Sequence, residues 1–166
     1  MPHQIAHQDR DYVLVEYYLI CHYSRLTYSN RKAIDARGII LYSRSMIKGV
    51  KFISIPVTDQ DRALSFYTDK LGFRINTDKP FSDKQRWIEL SIPGAETLVV
   101  LFTPDDHANR IGTFSPATFC CDNVQRTYDE LLARGVEFLA PPKKEPWGHF
   151  TMFRDPDGNQ FVLSSK

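Results

Sequence analysis

The sequence lacks a strong charge of either sign, because its 21 basic and 20 acidic residues leave a net charge of +1. Lysine and arginine are scattered instead of forming a stripe, so neither nucleic acid nor an anionic membrane surface is expected as a partner. Long apolar runs are also missing, since the stretch from Val13 to Cys21 is interrupted by Glu16 and has no basic segment before it. We therefore expect neither a signal peptide nor a membrane span.

Cysteine is scarce, with only Cys21, Cys120 and Cys121 in 166 residues. The last two are adjacent in a predicted strand, where successive side chains point to opposite faces and a disulfide between them would be strained. All three are therefore interpreted as reduced thiols, which predicts a cytoplasmic protein. A glycine-rich phosphate-binding loop is absent too, so no cofactor is expected.

Phenylalanine is absent from the first 45 residues, although the chain holds eleven. The same segment contains six of the eight tyrosines and three of the five histidines. This shift in composition predicts a boundary at Met46, with 1–45 an N-terminal extension that is disordered or precedes the natural start, and 46–166 a single domain. One turn of helix around Tyr12 to Tyr23 is an alternative to disorder. His3, His7 and His22 lie in a segment without clear periodicity, and no metal site is expected there.

What the chain does contain is a faint internal duplication at an offset of 63 residues. Asp59 corresponds to Asp122 and Gly72 to Gly135. Each copy has an apolar strand, an aspartate suited to cap a helix, about three helical turns, a glycine that ends them, and further strands. This predicts an α+β fold in which two tandem βαβββ units, 46–104 and 113–166, form a curved mixed sheet around a cleft. The predicted elements are strands 51–57, 73–76, 86–92 and 97–103 with helix 59–71, then strands 115–121, 136–140, 148–154 and 160–164 with helix 123–134.

Several short motifs carry a family resemblance, and all lie within 46–166. They are Ile55 to Asp59, Phe66-Tyr67, Leu71 to Phe73, Glu130-Leu131, Gly135-Val136 and Arg154 to Asn159. In residues and spacing this region resembles the vicinal oxygen chelate superfamily, which includes glyoxalase I, fosfomycin- and bleomycin-resistance proteins and extradiol dioxygenases. The resemblance implies the glyoxalase/bleomycin-resistance fold and a homodimer whose clefts are completed across a two-fold interface. It does not select one activity, because this scaffold hosts both enzymes and binders.

The resemblance also implies where a metal would be held in the enzymes of the family. Their ligands are His, Glu or Gln side chains, one on the first and one on the last strand of each unit. In this chain the corresponding positions hold Phe52, Leu101, Pro116 and Val162, none of which can bind a metal ion. The sequence therefore resembles the metal-free members, which bind small molecules.

Strand alternation predicts which side chains line the cleft. Phe52, Ser54 and Pro56 should face inward on the first strand, and Trp87, Glu89 and Ser91 on the third. Inward positions on the remaining strands are Val99, Leu101 and Thr103, then Phe150 and Met152, and finally Gln160, Val162 and Ser164. The predicted ligand-binding residues are Phe52, Ser54, Trp87, Glu89, Leu101, Phe150, Met152 and Val162.

Each candidate has a structural alternative. Phe52 and Leu101 could pack together and fill the vacated site. Glu89 in an apolar cleft should have a raised pKa and could act as a general base, or it could pair with Arg86 or lie at the rim. His149 could carry a proton but is more typical of a surface residue. Trp147, which follows a proline-rich segment at 141–146, is predicted to belong to a stiff loop that could close over the cleft.

The sequence thus favours a metal-free protein of this family that binds a small apolar or aromatic molecule, with resistance-type sequestration as its role. The alternative is an enzyme, a glyoxalase-like lyase or isomerase or a relative of the dioxygenases, that uses a non-standard metal or Glu89 as base. A purely structural or partner-binding domain also remains open. The expected partners are a small-molecule ligand and a second copy of the chain.

Overall fold

The computed structural model describes residues 32–34, 40–42, 47–104 and 108–166. The chain divides into two compact units, Met1–Lys48 and Gly49–Lys166. In the first unit, strands β1 (Lys32–Ile34) and β2 (Ile40–Tyr42) pair antiparallel. The helical turn proposed around Tyr12 to Tyr23 lies outside the described residues.

The second unit begins with a four-stranded mixed sheet, here called sheet I. Its elements are β3 (Phe52–Pro56), helix α1 (Gln60–Ser65), which continues as a π-helical turn at Phe66–Lys70, and strands β4 (Arg74–Pro80), β5 (Arg86–Ser91) and β6 (Leu98–Phe102). The strand order is β3-β6-β5-β4, with β3 parallel to β6 and the other pairs antiparallel. Strand β4 extends four residues beyond its predicted end at Asn76.

Sheet II repeats this arrangement after a short 3₁₀ turn at Ala108–Arg110. It contains β7 (Phe114–Cys120), helix α2 (Val124–Ala133), β8 (Glu137–Phe138), β9 (Lys143–Glu145), β10 (Gly148–Arg154) and β11 (Gln160–Ser165). The order is β7-β11-β10-β8, with β7 parallel to β11 and β9 pairing with the other end of β10. The α+β class and the doubled unit are confirmed, and the strands form two mixed sheets.

Strand β9 corrects one prediction. The segment between Pro142 and Pro146 is not a free loop, because Lys143 pairs with Phe150 and Glu145 with Gly148 in an antiparallel hairpin. Charged side chains and flanking prolines are typical of an edge strand, which needs only one hydrogen-bonded neighbour. Trp147 lies in the turn of this hairpin and its ring packs on Phe150, with centroids 5.1 Å apart.

The two helices begin at slightly different points of the duplicated pattern. Asp59 caps α1 by accepting from the backbone N–H groups of Asp61 and Arg62, which also lowers the pKa of its carboxyl. The cap of α2 is Asn123, not the predicted Asp122. The first helical segment therefore has one residue more than the second, although both end at a glycine with positive φ, Gly72 and Gly135.

The π-helical turn at Phe66–Lys70 accommodates that additional residue. Its widened spacing is seen in the hydrogen bond from the Leu71 N–H to the Phe66 carbonyl, 3.3 Å, which spans five residues instead of four. Phe66 and Tyr67 are both buried together with Ala63, at the i, i+3, i+4 spacing of one helix face.

One hydrophobic core joins the two halves of the second unit. It contains the inward side chains of both sheets and the buried faces of the helices, with Tyr67, Phe73, Phe153 and Phe161 among its aromatic members. Phe119 of β7 connects the halves, since its ring contacts those of Phe73, Phe153 and Phe161. No helix in the described part of the chain is long and apolar enough to cross a membrane.

Candidate functional site

A groove of ≈ 260 Å³ lies on the face of sheet I that is turned away from the core. Strands β3, β6 and β5 lie beneath the groove. Ser54, Val100 and Glu89 are register partners across these strands, and side chains of paired residues share a face, so all three lie on the groove side of the sheet. The groove is lined by Phe52, Ser54, Phe81, Gln85, Arg86, Trp87, Val100 and Phe102.

Aromatic rings form most of the groove wall. Trp87 is central, with Phe52 edge-on at a centroid distance of 5.7 Å and Phe81 tilted at 5.9 Å on the other side. Phe81 is 65% exposed, so much of its ring is accessible from solvent. The three rings offer an aromatic surface suited to stack against a flat ligand.

Two glutamine side chains fix the backbone beside the groove. The Gln60 amide bonds the Arg86 carbonyl at 2.7 Å and the Leu101 carbonyl at 3.0 Å, while its oxygen accepts the Arg86 N–H at 2.9 Å. The Gln85 oxygen accepts the Thr103 N–H at 3.1 Å. These bonds satisfy backbone groups where β5 and β6 separate, and so fix the segment that carries Trp87.

Arg86 lines the groove with its charge already paired. Its guanidinium lies 2.6 Å from the Asp61 carboxylate and 2.9 Å from that of Asp78. The hydrogen bond to Asp61, followed by the charge of Asp78, raises the pKa of Arg86 above its ordinary value. Arg86 therefore does not pair with Glu89, which was one of the alternatives for that residue.

Glu89 lies on the groove face of β5 but does not line the groove itself. It is buried, and the Asn76 side-chain amide donates a hydrogen bond to its Oε1. Asn76 belongs to the neighbouring edge strand β4, so this hydrogen bond links side chains of two paired strands. A role as general base stays a prediction.

Leu101 is where the predicted lining and the structure differ. It is fully buried in the core with Val99, and its neighbours Val100 and Phe102 face the groove instead. Strand β6 is apolar at every position, so alternation gives no signal and the face assignment on this strand was wrong by one residue. On β3 and β5, the polar residues Ser54 and Glu89 lie between apolar neighbours and indicate the outer face, and Phe52, Ser54 and Trp87 lie on that face as predicted.

The predicted residues of the second half do not join this groove. Phe150, Met152 and Val162 lie on the face of sheet II turned away from the core, where Met152 and Val162 are register partners. Their neighbours Thr151, Phe153, Phe161 and Leu163 point into the core. Sequence reasoning also missed Phe81, Gln85, Arg86, Val100 and Phe102 as lining residues. Of these, only Phe81, an aromatic residue in a predicted polar loop, offered a signal.

A second cavity of ≈ 280 Å³ lies at the seam between β3 and β7, here called the seam cavity. It contains apolar side chains from both halves together with a few polar groups. Its lining residues are Ile53, Ser54, Ile55, Pro56, Arg110, Thr113, Phe114, Ser115, Pro116, Ala117, Asn159 and Phe161.

The turn between β10 and β11, which contains the Arg154 to Asn159 motif, fastens the two halves together. The buried Asp155 carboxylate accepts from the Tyr67 hydroxyl at 2.9 Å and from the Asn159 amide at 2.8 Å. The same amide donates to the Pro56 carbonyl, and the Asn159 oxygen accepts the Gly112 N–H. Burial raises the pKa of Asp155, while these hydrogen bonds oppose the shift. We call Tyr67, Asp155 and Asn159 the latch.

The remaining candidates are His149, the two cysteines and the positions that hold metal ligands in the enzymes of the family. His149 is exposed on β10, and Cys120 and Cys121 are free thiols. Among the residues that the structure describes, no group of three or more His, Cys, Asp or Glu side chains is placed to hold a metal ion. The four family ligand positions, with Val100 facing the groove in place of Leu101, carry no metal-binding atoms and do not fit a divalent cation.

Comparison with known proteins identifies the family. The sequence profile of the Glyoxalase/Bleomycin resistance protein/Dioxygenase superfamily matches residues 49–163. Uncharacterized protein YetH of Bacillus subtilis (strain 168) is 36% identical over 118 residues, which cover 71% of this chain and 98% of that protein. The chain belongs to the Glyoxalase/Bleomycin resistance protein/Dioxygenase superfamily.

Solved structures agree with this assignment. A superfamily member from Sphaerobacter thermophilus DSM 20745 is 35% identical with a TM-score of 0.68, covering 74% of this chain and all of its own. TnmS3, an antibiotic binding protein from Streptomyces sp. CB03234, is 33% identical with a TM-score of 0.66, covering 74% of this chain and 98% of its own.

Proposed function

We propose that this protein binds a small apolar or aromatic molecule in the groove of sheet I and acts by sequestration, without a metal ion. The observation that carries the proposal is the cluster of Phe52, Phe81 and Trp87 around one groove. Binding sites for small molecules are typically concave and apolar, with a few polar groups that fix the ligand's orientation. Ser54 and Gln85 supply such groups here.

Two further observations support this function. The positions that hold metal ligands in the enzymes of the family carry apolar side chains, so they offer a dry surface in place of a coordination site. The similar protein TnmS3 is an antibiotic binding protein. An antibiotic is therefore a reasonable first class of ligand to test.

We also propose that the functional form is a homodimer. The groove is open to solvent and Phe81 is largely exposed, while Phe150 and Met152 form a second apolar face on sheet II. A two-fold arrangement could bring the sheet II face of one copy over the groove of the other, so that both sets of predicted ligand-binding residues share one cleft. Sedimentation equilibrium would give twice the chain mass; a monomer at all concentrations would refute this arrangement.

A cytoplasmic location is part of the same proposal. Cys120 and Cys121 are free thiols, and Cys120 is exposed. Exposed reduced thiols are typical of a reducing compartment. Localisation of a tagged full-length chain would test this.

The enzyme alternative receives no comparable support. Glu89 would need access to a bound molecule, but its carboxylate is buried, held by Asn76 and outside the groove lining. A Glu89→Gln variant keeps the shape of the side chain, so unchanged ligand affinity is expected. Loss of a measured turnover in that variant would instead support the enzyme.

The test is a thermal-shift screen of the full chain with aromatic antibiotics and metabolites, divalent metals and a chelator. A ligand at one hundred times its dissociation constant should stabilise the protein by about 2.7 kcal/mol. Trp87→Leu should weaken binding of any hit about tenfold by removing the central ring. Leu132→Ala is the matched control, since Leu132 is an exposed apolar side chain on α2. Stabilisation by metals alone would contradict the proposal, as would equal affinity for Trp87→Leu and wild type.

A further inference from the structure

The groove and the seam cavity meet at one residue. Ser54, exposed near the middle of the edge strand β3, lines both of them. Each cavity alone lies near the lower limit of about 300 Å³ for a typical small-molecule site. A ligand long enough to pass over Ser54 would occupy both.

The charged groups along this path are of one sign. Among the residues that the structure describes, neither lining contains an aspartate or glutamate, and the two charged side chains are Arg86 and Arg110. Arg86 is neutralised by Asp61 and Asp78. Arg110, which lines the seam cavity and not the groove, has no ion-pair partner among the described residues. A cationic ligand would find no counter-charge here, whereas an anionic group would find Arg110.

The loop that carries Arg110 is held by one hydrogen bond within the loop and by one to the latch. The Thr113 hydroxyl donates to the Arg110 carbonyl at 2.7 Å, and the Gly112 N–H donates to the latch residue Asn159 at 2.9 Å. The backbone of Arg110 is thus fixed relative to β3, which reduces the cost of using its side chain in recognition.

From this arrangement we infer that the ligand is an elongated acid, with an aromatic body in the groove and a carboxylate or similar anion that crosses Ser54 to reach Arg110. The inference rests on the proposed function and adds the chemical class of its ligand. Phe52 and Pro56 mark the two ends of the path along β3 and lie about 13 Å apart at the usual rise of a strand. The anion must therefore be separated from the ring by a spacer of several methylene groups.

Two pairs of probes test this inference in the full-length chain. Naphthylhexanoic acid and its primary amide share the long spacer, and naphthylacetic acid and its amide share a short one. The long acid should bind about two- to fivefold more tightly than its amide, as expected for one partly exposed ion pair. The short pair should show no such preference, because its carboxylate cannot reach Arg110. Added salt should reduce the preference.

Substitutions test whether Arg110 causes the preference for the long acid over its amide. Arg110→Gln should abolish it without changing the affinity for the amides, and Arg110→Lys should retain part of it. Arg126→Gln, which removes an exposed arginine of α2, should keep the full preference. If the long acid and its amide bind equally, the inference is wrong while the groove remains a binding site. If none of the four probes binds, the proposed function fails as well.

Discussion

Removing the Tyr67 hydroxyl should loosen the latch that joins the two halves. Tyr67 is fully buried, and its hydroxyl donates a 2.9 Å hydrogen bond to Asp155. In Tyr67→Phe, Asp155 retains the Asn159 side-chain amide and the backbone N–H groups of Asp157 and Asn159. The substitution therefore removes one charge-assisted hydrogen bond without emptying the site.

The expected loss is moderate but measurable. A hydrogen bond to a charged group contributes about 1.5–3 kcal/mol to stability. For a domain of this size, such a loss should lower the melting temperature by roughly 5–10 °C. Urea unfolding at neutral pH gives the free energy directly, as a shift of the midpoint at constant slope.

The pH dependence gives a second measurement. Burial places the pKa of Asp155 above its ordinary value of 3.8. Below 3.8 the carboxyl is protonated in both states, so the cost of burying its charge appears only as pH rises through the folded pKa. Tyr67→Phe removes a bond that favours the charged form and increases that cost. The stability difference between variant and wild type should therefore shrink as pH falls towards 3.8.

At alkaline pH the hydroxyl itself contributes. Burial, and then the charge of Asp155, raises the pKa of Tyr67 well above 10.0. The unfolded chain ionises first, so wild-type stability should fall as pH rises past 10.0, and Tyr67→Phe should lose that part of the decline. Tyr128→Phe is the control, because the Tyr128 hydroxyl has no hydrogen-bond partner in the described part of the chain. Equal unfolding midpoints for wild type and both variants would refute the latch.

Three further substitutions test the strand and helix assignments. Leu101→Ala should lower the free energy of unfolding by about 2–5 kcal/mol because it leaves a cavity in the core, and Val100→Ala should lower it less because Val100 borders the groove. Chemical denaturation measures both losses, and a larger loss for Val100→Ala would place Leu101 on the groove face. Gly135→Ala should cost about 1 kcal/mol because Gly135 ends α2 at φ 75°, and a neutral result by calorimetry would contradict that cap.

Local patterns predicted most of the fold. The duplication at an offset of 63 residues, together with the glycines that end both helices, was sufficient to define two βαβββ units. Predictions failed where the pattern carried no information. The all-apolar β6 has no alternation, and charged β9 resembles a loop because an edge strand needs no apolar face.

The site was harder to predict than the fold. Trp87 and Phe52 follow from alternation within their own strands, but Phe81 joins them from a loop. The latch depends on Tyr67 and Asp155, which are 88 residues apart. Such contacts are set by tertiary packing, which no local spacing in a single sequence specifies.

The most direct test of the account is an NMR titration that follows the two tryptophan indole N–H signals, assigned with a Trp147→Phe variant. With a ligand identified by the thermal-shift screen, the chemical shift of the Trp87 signal should change progressively until binding is saturated. The dissociation constant fitted to this change should equal the one obtained from the thermal shifts. A Trp87 signal that stays unchanged while the protein is saturated with ligand would contradict binding in the groove.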